Sequence, residues 1–325
     1  MKKTLAIILA LVMILSLCAC GGTKKEEEDA SGGYLVFTTG GETGTYYGFG
    51  NIMAQKVTGT TTTYVAAIAS GGSKANIEAL QAGDAQLAFT QYDVMLYAYQ
   101  GTNTFEDVGP NDSFAVVAAL YPESVHIVTL NPDIKSVADL KGKSVSIGAA
   151  GSGVYFNAID ILGAYGLSEN DIQPTYQSFG DSVEALQDGQ IDAAFVVAGA
   201  PVSAVTSLAA TNQVYLISLD AEHADKLVAD IPTYSKTTIP ASIYGTPEDC
   251  ATVAINAVII ADNSVADDDV YNFVKGVYEN LPQLLDAHAI ASNLSLDLAS
   301  SITAVPYHPG AARYYAEQGI TVPTR

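Results

Sequence analysis

Asn76-Ile77-Glu78-Ala79-Leu80-Gln81-Ala82-Gly83-Asp84-Ala85-Gln86-Leu87-Ala88-Phe89-Thr90-Gln91 has an echo 106 positions further on. The second copy is Ser182-Val183-Glu184-Ala185-Leu186-Gln187-Asp188-Gly189-Gln190-Ile191-Asp192-Ala193-Ala194-Phe195-Val196-Val197, and seven of the sixteen aligned pairs are identical without a gap. Each copy reads as a helix stopped by glycine and followed by a short apolar strand. Strands that follow helices this closely belong to a parallel or mixed α/β sheet, whose ligands bind beyond the carboxyl ends of the strands. Two such units predict two lobes of similar build with a cleft between them. Chance is the competing explanation, since Glu-Ala-Leu-Gln-x-Gly is a common helix ending.

The amino-terminal residues read as an export signal. Lys2-Lys3 precede a 13-residue apolar run from Leu5 to Leu17, the size of a signal core and too short to span a bilayer comfortably. Leu17-Cys18-Ala19-Cys20 then Gly21-Gly22 matches the bacterial lipobox pattern. Residues 1–19 are therefore expected to be a lipoprotein signal peptide and Cys20 the lipidated residue; ordinary secretion with cleavage elsewhere is the alternative. Residues 20–33 hold charged and small side chains and read as a solvated tether. The remaining 292 residues, from Tyr34, suit two lobes better than one. The later apolar run Ala251 to Ala261 has only 11 residues and reads as a buried strand.

Charge narrows the partners. The chain has 14 basic and 35 acidic residues, a net charge of −21; removing Lys2 and Lys3 with the signal makes it −23. Such a surface repels nucleic acid and anionic headgroups, so contact with the membrane is expected through the Cys20 lipid alone. Histidines at 126, 223, 288 and 308 show no ligand-type spacing, so no metal site is expected. No cofactor is called for either. Gly40 to Gly50 is glycine-rich but lacks both the P-loop lysine and dinucleotide-type glycine spacing. Arg313 and Arg325 are the only arginines, which excludes a bidentate arginine clamp on a carboxylate from the segment 121–219.

Strands are expected at 34–39, 64–69, 116–121, 126–130 after a Pro-Glu turn, 144–148, 214–219 and 253–260, besides the two echo strands. Helices are expected at 47–58, from Ser73 as a cap, at 153–165 and over 268–285. Prolines 232, 240 and 247 make 231–248 read as irregular. The lobe boundaries that follow are 34–120 with 220–325 for the first lobe and 121–219 for the second, joined by two hinge strands.

Ser152-Gly153 falls between a strand and a helix, where free N–H groups and the positive helix end favour an anion. The same Gly-Ser-Gly loop reads equally well as a plain turn. Ala150 stands where a nucleophile elbow needs glycine, so Ser152 is not expected to act as a catalytic nucleophile. Thr45 and Tyr46 follow the first strand, and Thr90-Gln91 end the first echo strand; all four are placed to meet a ligand, with capping or turn roles as the duller reading.

An ordered set of short motifs resembles a known family. It comprises Gly40 to Gly50, Gly71-Gly72-Ser73…Glu78-Ala79-Leu80, Leu120-Tyr121-Pro122-Glu123…His126, Asp139-Leu140-Lys141-Gly142-Lys143, Gly151-Ser152-Gly153, Ile191-Asp192-Ala193-Ala194-Phe195, Ile239-Pro240-Ala241 and His308-Pro309-Gly310-Ala311-x-Arg313-Tyr314-Tyr315. Together they resemble the TAXI family, the solute-binding proteins of one class of TRAP (tripartite ATP-independent periplasmic) transporters. The resemblance implies an α/β, type II periplasmic-binding-protein fold, no enzyme activity, and delivery of ligand to an integral-membrane permease driven by an ion gradient. Relatives take glutamate and other small organic acids. Gly48 and Val154 depart from residues common in the family, proline and threonine respectively.

The expected protein is thus an extracytoplasmic, lipid-anchored monomer that closes over a small carboxylate, an amino acid or dicarboxylate. Ser152, Gly153 and Val154 are expected to hold the acid group, and Thr45, Tyr46, Ser70 and Gln91 to read the remainder. Tyr121 is placed near the hinge, and Gly199 in a small-residue wall. Rival readings are an ABC-type binding protein for sulfonates or thiamine precursors, a surface hydrolase using Ser152 with a histidine, and a ligand-sensing adaptor.

Overall fold

Residues 32–324 are described by a computed structural model. Its first half opens with strand β1 (Tyr34–Thr38), helix α1 (Thr45–Thr60), β2 (Tyr64–Ile68), α2 (Ser73–Ala82), β3 (Leu87–Gln91) and α3 (Tyr92–Gln100). A 16-residue strand β4 (Phe114–Thr129) crosses to the second half. There the order recurs as β5 (Ser144–Ser146), α4 (Val154–Ala164), β6 (Gln173–Thr175), α5 (Phe179–Gln187) and β7 (Ala193–Ala198). Helix α6 (Ser203–Ala209), β8 (Tyr215–Leu216), α7 (Ala221–Asp230) and β9 (Ser235–Ile239) follow, and β10 (Cys250–Asp262) crosses back. Helices α8 (Asp267–Tyr278), α9 (Leu281–Ala287), α10 (Leu296–Ala299) and α11 (Pro309–Glu317) complete the described chain.

The sheet order β2-β1-β3-β10-β4-β7-β5-β6 is nearly a palindrome. β3 lies parallel to β1 and antiparallel to β10, just as β7 lies parallel to β5 and antiparallel to β4. Both echo strands are buried along their whole length, which explains their continuous apolar reading. The two helix endings match bond for bond. Asp84 N–H donates to the Ala79 carbonyl at 2.9 Å, and Gln190 N–H to the Ala185 carbonyl at 2.9 Å. Gly83 (φ 78°) and Gly189 (φ 66°) supply the left-handed residue that this closure requires. Next, Gln86 Oε1 accepts the Val36 N–H at 2.9 Å, and Asp192 Oδ2 accepts the Ser144 N–H at 2.9 Å. The same echo position therefore ties each lobe's helix ending to its first strand.

Apolar packing separates the lobes. One cluster joins Phe37, Phe49, Phe89 and Tyr121 to Ala257–Ala261, Phe273 and Tyr315. Two others join Val125, Ile127, Phe195, Leu227, Val253 and Cys250. The partition therefore changes within β4 and β10, which pair with each other over Phe114–Ser124 and Ala254–Asp262. This corrects the expected boundary at residue 219. β8 has only two residues and merely pairs with Val128 and Thr129; the return crossing is the longer β10, and 220–255 packs in the second lobe.

Three local expectations also change. Pro122-Glu123 is no turn, because β4 continues through it. Pro122 lies opposite Asn256, before β7 begins at the Ser124–Ala198 pair, so its missing N–H leaves no neighbour unpaired on that side. The segment 231–248 contains a strand after all: Pro232 and Pro240 flank β9, which adds to one side of β10. The expected helix over 268–285 is split, since Pro282 cannot continue a helix begun before Tyr278.

The expected signal peptide, the Cys20 lipid site and residues 20–31 of the expected tether lie outside the described residues. Gly33, assigned to the tether, is part of the fold: its N–H donates to Asp269 Oδ1 at 2.7 Å. Among the described residues no helix is long and apolar enough to cross a membrane. Among them, too, no group of three or more His, Cys, Asp or Glu could hold a metal ion.

Candidate functional site

Four helices begin at one cavity between the lobes. Gly44-Thr45-Tyr46 opens α1 and Gly72-Ser73 opens α2 on the first lobe; Gly153-Val154 opens α4 and Ser178-Phe179 opens α5 on the second. First-turn N–H groups have no partner within their own helix, and the aligned peptide dipoles make each start partly positive. The cavity holds about 90 Å³ of space for water centres, room for a few waters or one small organic molecule. No Lys, Arg or His lines it, and its single ionisable acid is Glu123.

The lobes touch around this space. The Gly151 carbonyl accepts the Lys74 and Ala75 N–H groups at 2.9 and 3.1 Å, so the 149–153 loop sits on the start of α2. Ala204 N–H donates across to the Thr43 carbonyl at 3.2 Å. A Cβ on Gly153 would stand 1.9 Å from Gln91 Oε1, so any side chain here would displace Gln91 from its present place.

Of the residues picked out from sequence, Thr45, Tyr46, Ser70, Gln91, Ser152, Gly153 and Val154 line the cavity. Tyr121 and Gly199 do not. Tyr121 stands behind the wall, its ring 6.0 Å from Phe49 and 6.4 Å from Phe89, with its buried hydroxyl unpartnered. Gly199 accepts the Thr45 hydroxyl at 2.7 Å through its carbonyl and packs against Tyr121 and Ile290. Thr45 thus spends its hydroxyl on joining the lobes and offers the cavity only its backbone and methyl. Thr90 is buried with its hydroxyl turned to the Gln91 carbonyl at 3.3 Å.

Sequence reasoning missed Glu123, Ser73, Gln177 and Phe179 as lining residues. Phe179 had a signal, being the first helical residue of the second echo copy's helix. Ser73 was expected to cap α2; Gly72 occupies that position, and the Ser73 hydroxyl instead accepts the Gln91 N–H at 3.1 Å. Glu123 carried no signal, because its Pro-Glu context read as a turn. It is buried, accepts the Tyr46 hydroxyl at 3.1 Å on Oε2, and burial pushes its carboxyl well above the usual range against the opposing pull of Gln91 and Tyr46.

A second polar cluster bridges the lobes away from the cavity. Asn157 Nδ2 on α4 donates to Asp93 Oδ2 on α3 at 3.1 Å and to the Tyr234 hydroxyl at 2.9 Å. Tyr234 in turn donates to Asp160 Oδ2 at 3.0 Å. Burial raises Asp93 to about 7 and Asp160 to about 6, with no cation among the groups acting on either.

Ser152, His126 and Cys250 are each buried. Ser152 Oγ is buried without a hydrogen-bond partner, so no base touches it. His126 is a core residue, held by the Ser124 and Val196 carbonyls and the Tyr244 hydroxyl, and burial lowers it to about 4. Cys250 is buried, with its thiol pushed up to about 11.

Two cores joined by paired crossing strands, with helix starts facing one cavity, define the α/β architecture of periplasmic binding proteins. The chain belongs to the NMT1-like family, whose model matches residues 37–319. A "Putative aliphatic sulfonates-binding protein" of Escherichia coli (strain K12) is 42% identical over 69 residues, which span about a fifth of that relative and 21% of this chain. An ancestral arginine-binding protein bound to arginine superposes with a TM-score of 0.51 at 14% identity, over 79% of this chain and 98% of its own; that likeness concerns the fold alone. The alkanesulfonate-binding protein SsuA from Xanthomonas axonopodis pv. citri bound to MOPS gives a TM-score of 0.48 at 16% identity, over 87% of this chain and 83% of its own.

Proposed function

We propose that the protein is an extracytoplasmic solute-binding protein that closes its two lobes over a small organic acid and hands it to a membrane permease, without catalysis. The observation that carries this reading is the convergence of four helix starts on one cavity that has no basic side chain. An acid group there is held by backbone N–H donors, with the Ser152 hydroxyl, so far unpartnered, as a further donor. Contacts from both lobes make closure depend on the solute, since only differential affinity shifts such an equilibrium. Thr45, Tyr46, Ser70, Gln91, Ser152, Gly153 and Val154 form the contact set. The solute is taken to be a carboxylate, an amino acid or dicarboxylate. A lipid on Cys20 would keep the protein at the membrane surface.

Native mass spectrometry of protein purified without refolding, followed by solution scattering against a panel of small acids, tests the reading. A co-purified acid and ligand-dependent compaction are expected; no compaction with any acid would overturn it. A sulfonate is the second reading, favoured by the 69-residue match to the E. coli relative, and sulfonates belong in the panel. The permease is read as TRAP-type from the TAXI-like motifs. Uptake in vesicles driven by an ion gradient supports that partner, whereas uptake driven by ATP supports an ABC transporter.

A further inference from the structure

Resting on the reading of the cavity as the solute site, we propose that Glu123 is its specificity-determining acceptor and that the solute carries an ammonium group beside its acid group. A relay of hydrogen bonds fixes the direction. The Gln91 backbone N–H, which can only donate, donates to Ser73 Oγ at 3.1 Å. Accepting that bond leaves the Ser73 hydroxyl hydrogen available to the Tyr46 phenol beside it, and Tyr46 donates to Glu123 Oε2 at 3.1 Å. The Gln91 side chain lies beside this carboxyl and favours its ionised form, and Gln91 Oε1 has no hydrogen-bond partner. Tyr46 donates to Glu123 and Gln91 also favours its ionised form, so the carboxyl is built as an acceptor.

Its surroundings lack a compensating charge. Tyr46 on α1, Tyr121 on β4 and Asp93 on α3 are the titratable groups acting on Glu123, and none is cationic. A buried carboxylate without a counter-charge is costly. An ammonium at this end of the cavity supplies that charge, while Gln91 Oε1 offers it a second acceptor. The helix starts at Gly153 and Phe179 take the anionic end. A second carboxylate in place of the ammonium would meet Glu123 as like charge. The class is therefore a small zwitterion, an amino-carboxylate or amino-sulfonate.

Calorimetry on the protein freed of carried-over solute compares matched pairs: glutamate against glutarate, and taurine against ethanesulfonate. The amino member of at least one pair is expected to bind tenfold or more tighter than its des-amino partner, and which pair does so distinguishes carboxylate from sulfonate. Measured against Glu123→Gln, which keeps the same inter-lobe acids, its affinity should gain as pH rises and the Glu123 carboxyl, raised by burial, ionises. Glu123→Gln should remove most of that preference, and Tyr46→Phe, which keeps the carboxylate, should weaken it less. Des-amino acids binding equally or tighter, or an advantage of the native protein over Glu123→Gln that shrinks as pH rises, would overturn the assignment while leaving the solute-binding reading intact. No binding by any of the four, nor by any acid of the wider panel, would remove both.

Discussion

The two lobes share a scaffold and differ in what they present to the cavity. β3 ends in Thr90-Gln91 and β7 in Val196-Val197-Ala198, at the same place beside a crossing strand. The first lobe brings the polar relay Gln91, Ser73 and Tyr46; the second brings the Ser152 loop and the apolar Val197-Ala198 wall. A duplicated frame therefore does not imply duplicated chemistry. The frame fixes where strand and helix ends arrive, and the last two or three residues decide what they do there.

That contrast can be broken most severely at Gly153. Gly153→Val would drive a side chain into Gln91 and hold the lobes apart. Binding of whichever acid the native protein takes should fall at least a hundredfold, about 3 kcal/mol, with the thermal midpoint nearly kept; unchanged calorimetric affinity would place the site elsewhere. Next, Gln91→Val makes the first echo strand end like the second. Losing the amide beside a buried carboxyl should cost roughly 1.5–3 kcal/mol of binding, again read by calorimetry.

The inter-lobe acids sharpen the comparison, because α3 and α4 meet there without any ligand. Asp93 and Asp160 are raised to about 7 and 6 with the lobes in contact. In an open form, solvated, they would return toward 3.8, the ordinary value. A raised carboxyl favours contact fully below that value and loses the effect as pH rises through 6 and 7, so closing takes up protons. The closed-to-open ratio of the solute-free protein should fall by roughly a hundredfold or more from pH 5 to pH 8, measured by the distance between dyes on the two lobes. Asp93→Asn should flatten the profile; an unaltered slope would reject the account. Last, Gly83→Ala and Gly189→Ala meet no neighbouring atom and differ from the native protein only through positive φ. Each should lose about 1 kcal/mol in denaturant titration, and the two losses should agree.

The frame was legible because burial imposes it on every residue of an element. The echo, the glycine stops and the apolar strands are repeated signals, and the structure keeps them within a few residues. The seven lining residues read from sequence share a different signal, since each lies where a strand ends or a helix begins. Glu123, Ser73 and the Asp93–Asn157–Asp160 cluster were illegible for the opposite reason. Each gains its role from a partner 18 or more residues away in sequence. The lobe boundary failed similarly: β8 and β10 both read as strands, and only pairing distinguishes a two-residue contact from a crossing.

The pairing of β4 with β10 also governs the order in which the chain can assemble. Ser124 lies opposite Ala254, so the second lobe is one continuous insert whose two ends are already neighbours. The first lobe is interrupted by it, and β3 must wait for Ala257–Ala261 before its sheet closes. During synthesis the insert is therefore expected to become protease-resistant first, with the flanking halves following once β10 has emerged. Pulse proteolysis of ribosome-bound chains would show this sequence, and a fragment spanning 124–254 should fold by itself, whereas one ending at residue 123 should not.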